Sequence, residues 1–225
     1  MSRKNLEKIL DQANYDDLAT AKASWFRYHD LCREIARNNG GFSVKVGAGV
    51  FAALSPNNDY VGNVRDTRKL LAGVAAGRTC EQIKVSTYNA NKWKAVEIAN
   101  GKPPLDLILA QKTRNFYLNV IDPLEPQPVT VDGHILNAWS GKRIALHSAV
   151  RAVRIKTSKQ HYEDVAQDIR DIGRDREIIP NVVQSAIWQC WKRIHGIKVN
   201  GQFCFWPDDY IVAGLGFRRE TITMA

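Results

Sequence analysis

The run PNVVQSAIWQCWKRIHG, from Pro180 to Gly196, constrains the fold more than any other part of the chain. Val183, Ile187, Trp191 and Ile194 recur at steps of four, four and three, the spacing of one apolar stripe along a helix. Pro180 suits the first helical turn, where its missing N–H would find no partner within the helix anyway. Gly196 suits a stop, because it enters the left-handed region at little cost. A stripe like this must be buried against other elements, and the rest of the chain supplies more helices to do it.

The segment from Leu6 to Gly41 predicts one or two helices ending at Gly40 and Gly41, with Leu31 and Ile35 facing inward. VGAGVFAAL is almost wholly apolar and is expected to be a buried helix, although a strand of that length fits too; it stops at Ser55, before Pro56. NDYVGNVRDTRKLLAG predicts a helix capped by Asn58 or Asp59 and ended by Gly73. NANKWKAVEIANG predicts a short helix, and PPLDLILAQKTRNFYLNVI one helix or a pair, broken at DPLEPQP. YEDVAQDIRDIGRD is amphipathic through Val165, Ile169 and Ile172. The final GQFCFWPDDYIVAGLGFRRETITMA is irregular, with room for a short hairpin. No repeat or long linker divides the 225 residues, so the expectation is a single mainly α domain over 1–225.

Charge bears on partners rather than on fold. The 32 Lys and Arg against 23 Asp and Glu leave a net +9, which favours polyanions through counterion release. Lys142, Arg143, Arg151, Arg154, Lys156 and Lys159 concentrate part of this charge and could follow a phosphate backbone or form a solvated helix face. No window approaches the roughly 18 apolar residues of a membrane span, and MSRKNLEKILDQ has no apolar signal core. No membrane partner is therefore expected, and the expected location is cytoplasmic, in a bacterial or phage-infected cell, or nucleoid-associated. Cys32, Cys80, Cys190 and Cys204 are too dispersed for a zinc knuckle or iron–sulfur cluster and read as buried free thiols. No metal or other cofactor is expected.

Two residues stand out locally. Lys112 lies in LILAQKTRNFYLNVI, apolar on both sides, where desolvation or nearby Arg114 would favour a neutral, nucleophilic amine; alternatively it extends to solvent from an amphipathic helix. Asp132 is an isolated acid within VTVDGHIL. It suits the N-cap of a helix beginning at Gly133 or His134, and a carboxylate held in that way could also stabilise developing positive charge.

QKTRNFYLNV followed by VTVDGH resembles the helix-hairpin-helix DNA glycosylase superfamily, particularly its endonuclease III-like members. There a hairpin precedes a lysine-bearing helix, and an apolar approach leads to a V-D-T-H sequence. Two further blocks occur in the family's order: FAALSPNNDYVGNVRDTRKLL resembles its L-S-x-Q-x-x-D turn, and STYNANKWKAVEI its Y-N-x-K-A helix. The resemblance is strongest over 48–150, with 1–47 and 151–225 completing the helical lobes. Three departures accompany it: LILAQ replaces the glycine hairpin L-P-G-V-G, Asn57 replaces the turn's glutamine, and the C-terminal four-cysteine cluster is absent.

The resemblance implies a two-lobed helical fold with a groove between the lobes. It implies a monomeric DNA glycosylase, with β-lyase activity as an option, that flips a damaged or modified nucleotide from double-stranded DNA. Asp132 and Lys112 become the catalytic pair, with Ser55, Asn57, Asn58, Tyr60, Arg114 and His134 as substrate- or DNA-binding residues. Two alternatives stand beside this: a phage-associated enzyme of the same fold that installs or processes a hypermodified thymine, and a non-catalytic DNA-binding protein. Trp188 is a candidate for base stacking or for packing between lobes, and Gln184, Lys192 and Arg193 accompany it off the apolar stripe of its helix.

Overall fold

The computed structural model describes residues 2–144 and 159–197, and every regular element among them is a helix. The mainly α class expected from the apolar periodicity is observed. The C-terminal hairpin, Cys204 and the basic residues Arg151, Arg154 and Lys156 lie outside the described residues.

The first apolar run is two helices, α1 (Arg3–Leu10) and α2 (Tyr15–Asn38). Asn14 starts α2 with a reciprocal cap. Its side-chain oxygen accepts from the Asp17 N–H at 2.9 Å, and the Asp17 carboxylate accepts from the Asn14 N–H at 3.0 Å. VGAGVFAAL is helical, within α3 (Val44–Leu54), and its residues from Gly47 onward are buried. A Cβ at Gly47 would stand 2.4 Å from the Cys32 carbonyl oxygen, so this glycine lets α3 lie directly on the α2 backbone.

Helix α4 (Tyr60–Ala75) is capped by Asp59, whose Oδ1 accepts from the Gly62 N–H at 2.7 Å. Gly73 does not end it, contrary to the sequence expectation. The chain stays helical because Gly73 is a packing position, where a Cβ would meet Ile83 at 2.8 Å; the left-handed residue beyond the helix is Gly77, with φ +70°. Helices α5 (Asn89–Ala99), α6 (Pro104–Leu107) and α7 (Gln111–Ile121) follow, so the PPLDLILAQ segment holds a pair of helices joined at 108–110. Then come α8 (Gly133–Ser140), α9 (Lys159–Asp175) and α10 (Pro180–Ile194).

Two hydrophobic cores result. The first gathers α2 from Trp25 onward with α3, α4, α5 and α7, around Ile35, Phe51, Leu54 and Leu70. The second gathers α1, α8, α9 and α10, around Leu6, Ile135, Ile169 and Ile187. The start and the end of the described chain thus share one core, and its middle forms the other. Helix α2 threads both, with Ala21 in the second core and Trp25 in the first. The Trp25 indole N–H donates to the Asn181 carbonyl at 3.0 Å, tying α2 to the start of α10.

Two details differ from the sequence reading. Ile194 is 39% exposed, so the α10 stripe is buried only through Trp191; the helix ends at Ile194, just before left-handed Gly196. Cys32 and Cys190 are buried, whereas Cys80 is only partly covered because it lies in the loop between α4 and α5. No described helix is long and apolar enough to cross a membrane.

Candidate functional site

The two cores meet at a cavity of about 330 Å³. One wall is a cluster of aromatic rings from α2, α3, α4 and α7. Tyr28 and Phe116 have ring centroids 5.5 Å apart at 80°, Trp25 and Phe116 5.8 Å, and Tyr28 and Tyr60 6.0 Å. Burial raises the pKa of the Tyr28 and Tyr60 hydroxyls, so both are neutral donors at ordinary pH. The facing wall comes from α10, which turns Gln184, Ser185, Trp188 and Gln189 to the cavity. These residues recur at one, four and five positions, a single helical face set beside the apolar stripe. Ser24, Ser55, Asn58, Asn63 and Thr130 add hydroxyls and amides, and Asp59, Lys112 and Asp132 add charge.

Asp132 and Lys112, twenty positions apart in sequence, therefore line one cavity. Asp132 is the N-cap of α8. Its Oδ1 accepts from the His134 and Ile135 N–H groups, both at 2.9 Å, while Oδ2 accepts from the Trp188 indole N–H at 2.9 Å. Three donors on two oxygens fix the carboxylate in one orientation. Lys112 is the second residue of α7, exposed at its side chain, and makes no hydrogen bond or ion pair with any described residue.

What brings the two together is the inner face of α7, where Asn115 and Asn119 follow Lys112 at three and seven positions. The Asn115 amide donates to the Val129 carbonyl at 2.9 Å, and the Asn119 amide to Thr130 Oγ1 at 3.0 Å. Tyr162 of α9 reinforces the same segment, donating its hydroxyl to the Val129 carbonyl at 2.8 Å and accepting from the Val131 N–H at 3.1 Å. Burial pushes the Tyr162 hydroxyl up to about 12. Residues 129–131 are thereby held between α7 and α9 and deliver Asp132 to the cavity. Asn115 and Asn119 fall inside the QKTRNFYLNV block, but the resemblance assigns neither of them a role. Their only signal was polarity at helical spacing from Lys112 on a helix that had to be buried on that side.

Of the other residues selected from sequence, Ser55, Asn58 and Tyr60 line the cavity. Asn58 is held by donating to Asp66 Oδ2 at 3.2 Å, and the same oxygen takes the Ser86 N–H at 2.6 Å. Asn57, Arg114 and His134 are not lining residues. Asn57 is exposed, in the left-handed region at φ +57°, and its amide turns away to donate to the Tyr88 hydroxyl at 3.0 Å. Arg114 follows Lys112 by two positions, which points it to a different side of α7, and it donates to the Leu105 carbonyl at 3.2 Å. His134 packs edge-on against Trp188, with centroids 6.0 Å apart at 84°. Trp188 has more than a packing role, since its ring lines the cavity and its N–H holds Asp132.

Among the described residues no group of three or more His, Cys, Asp or Glu side chains is arranged to hold a metal ion. The arrangement offers an aromatic wall, amide and hydroxyl donors and acceptors, two carboxylates that cap helices, Asp59 and Asp132, and one amine bonded to no described residue.

One family model matches residues 2–195, that of a family of unknown function (DUF7178), and the chain belongs to it. No curated protein and no solved structure matches the chain.

Proposed function

We propose that this member of DUF7178 is a DNA N-glycosylase with β-lyase capability, acting on a damaged or modified nucleotide flipped out of double-stranded DNA. The observation that carries the reading is the meeting of Lys112 and Asp132 in one aromatic-walled cavity. A flat heteroaromatic base suits such walls, because rings stack on its faces while amides and hydroxyls meet its edges. At about 330 Å³ the cavity lies within the size range of small-ligand sites. The net charge of +9 suits a phosphate backbone outside it.

In this reading the two cores are the lobes of a helix-hairpin-helix glycosylase-like fold, and the cavity lies in the groove between them. The α6–α7 pair stands where the family has its hairpin, but its connection, 108–110, is Ile-Leu-Ala. Leu109 is 74% exposed there. The grip on DNA is then not the glycine-backbone contact of the family, and the net positive charge carries more of it.

The chemistry divides between the two residues. As the bond from C1′ to the base lengthens, the sugar gains oxocarbenium character, and the fixed Asp132 carboxylate stabilises that charge. The Lys112 amine, in its neutral form, adds to C1′ while the base departs with the bonding electron pair and takes the proton that the new C1′–amine sheds. Opening of the sugar ring, with protonation of O4′, gives a Schiff base between C1′ and Lys112. Loss of a C2′ proton then expels the 3′ phosphate by β-elimination. The carboxylate needs rigidity for its part, and the amine needs reach.

The test is release of free base, measured by chromatography, from duplexes each carrying one modified or damaged base. The reading predicts release from at least one duplex, lost in Asp132→Asn. Duplex binding without release across a broad panel would point instead to a binding protein, and a base altered but retained would point to base modification.

A further inference from the structure

Asp132 is oriented by more than its own helix. Its Oδ1 is occupied by the two N–H groups at the start of α8, so the carboxylate could still tilt Oδ2 towards or away from the cavity. The Trp188 indole removes that freedom by donating to Oδ2 at 2.9 Å. The indole is itself held. Lys192, one helical turn further along α10 and 1% exposed, sets its Nζ 3.9 Å from the ring centroid. Trp188 lines the cavity whereas Lys192 does not, so the ring separates a buried amine from the cavity.

A buried lysine needs compensating partners, and the face of the Trp188 ring is one of them. A cation against an indole face is attracted by the ring quadrupole, the more strongly where water is excluded. It also draws electron density from the ring and so strengthens the N–H as a donor. We propose that Trp188 is a positioning residue that sets Asp132 for its action on the sugar, and that Lys192 clamps and polarises Trp188 from behind. The line Lys192, Trp188, Asp132 leaves the remaining acceptor capacity of Oδ2 for the charge that develops at C1′. This inference rests on the glycosylase reading.

The experiment uses the full chain and the duplex found to release base. Trp188→Phe keeps an aromatic face over Lys192 and removes only the N–H. Its single-turnover rate of base release should fall about tenfold or more, while duplex affinity stays within about twofold. Lys192→Met, similar in length, should lower the rate in the same sense by a smaller factor. A merely structural role would not separate rate from affinity in this way, and a third readout, the indole ¹H–¹⁵N resonance of Trp188, assigned by its absence in Trp188→Phe, reports the bond to Asp132 itself. It should lie downfield in the wild type and shift upfield in Asp132→Asn, where the amide can still cap α8 but turns its NH₂ towards the indole.

Full base-release rate in Trp188→Phe, beside an active wild type, would overturn the proposal and leave the glycosylase reading standing. So would a loss of affinity matching the loss of rate, which would make Trp188 a stacking residue. A wild type that releases no base from any duplex fails the glycosylase reading and takes this proposal with it.

Discussion

Helices α7 and α8 both begin at the cavity, and they begin in opposite ways. Helix α8 opens on Asp132, whose side chain accepts two of its first N–H groups and the Trp188 indole as well. Helix α7 opens on Ala110, which offers no side-chain cap, and its second residue is the exposed Lys112. One helix start is locked and the other is left open. A group that stabilises charge by electrostatics works best when its orientation is settled beforehand. A nucleophile that must follow a moving carbon and then release it is better served by a flexible stem. The contrast teaches that the fold has spent its hydrogen bonds on the carboxylate and on the segment leading to it, leaving the amine to the rigidity of α7 alone.

That contrast makes four predictions, ordered by their effect on folding. The largest belongs to neither site residue but to the tether between them. Asn119 is fully buried, and Asn119→Ala removes its bond to Thr130 Oγ1. The expected cost is about 1–3 kcal/mol in a denaturant titration, with any base release slowed as Lys112 and Asp132 lose their register. An unchanged midpoint would show that α7 does not hold the 129–131 segment.

Asp132→Ala comes next. Losing an N-cap costs about 1 kcal/mol, whereas Asp132→Asn should keep most of that stability, since asparagine caps comparably. Both should lower base release by a hundredfold or more, the scale of removing a fixed electrostatic group. Equal destabilisation by both would mean that the Trp188 bond, not the cap, is what stabilises α8.

Helix α7 offers the converse change. Ala110→Asp should add the missing cap and raise stability by about 0.5–1 kcal/mol, read as a higher melting temperature. It should also lower activity, because it sets a carboxylate two residues from the amine. A gain in both would break the idea that this helix start is left open for function. Lys112→Ala should have the smallest effect on folding, within about 0.5 kcal/mol, because the side chain is exposed and bonded to no described residue. Its effect on chemistry should be the reverse, with complete loss of any covalent intermediate.

The helices were legible in the sequence because burial imposes a period on apolar residues. VGAGVFAAL has no such period, and its uniform apolarity fits a strand as well as the helix it forms, whereas the Asp132 cap is readable from residue type. Gly73 misled because a glycine that stops a helix and a glycine that admits a neighbour look alike in sequence, and only Ile83 tells them apart. The site was legible in part. Lys112 and Asp132 drew notice as polar groups in apolar surroundings, and Ser55, Asn58 and Tyr60 through a resemblance in motif order. Asn57 was selected with them, yet a left-handed backbone turns it out to Tyr88, and local conformation of this kind is not written in residue type. Asn115, Asn119 and the α10 residues Ser185 and Gln189 stayed hidden because their role depends on which helices meet. Trp188 was visible as an aromatic off the stripe, but its bond to Asp132 spans 56 positions and could not be inferred from spacing.

The most direct test of the paired action of Lys112 and Asp132 is borohydride trapping on a duplex that the protein cleaves, followed by mass-spectrometric mapping of the adduct. A reduced Schiff base can form only where an amine has reached C1′. The account predicts an adduct on the tryptic peptide containing Lys112, absent in Lys112→Ala and much reduced in Asp132→Asn. An adduct on any other amine, or one undiminished in Lys112→Ala, would contradict it.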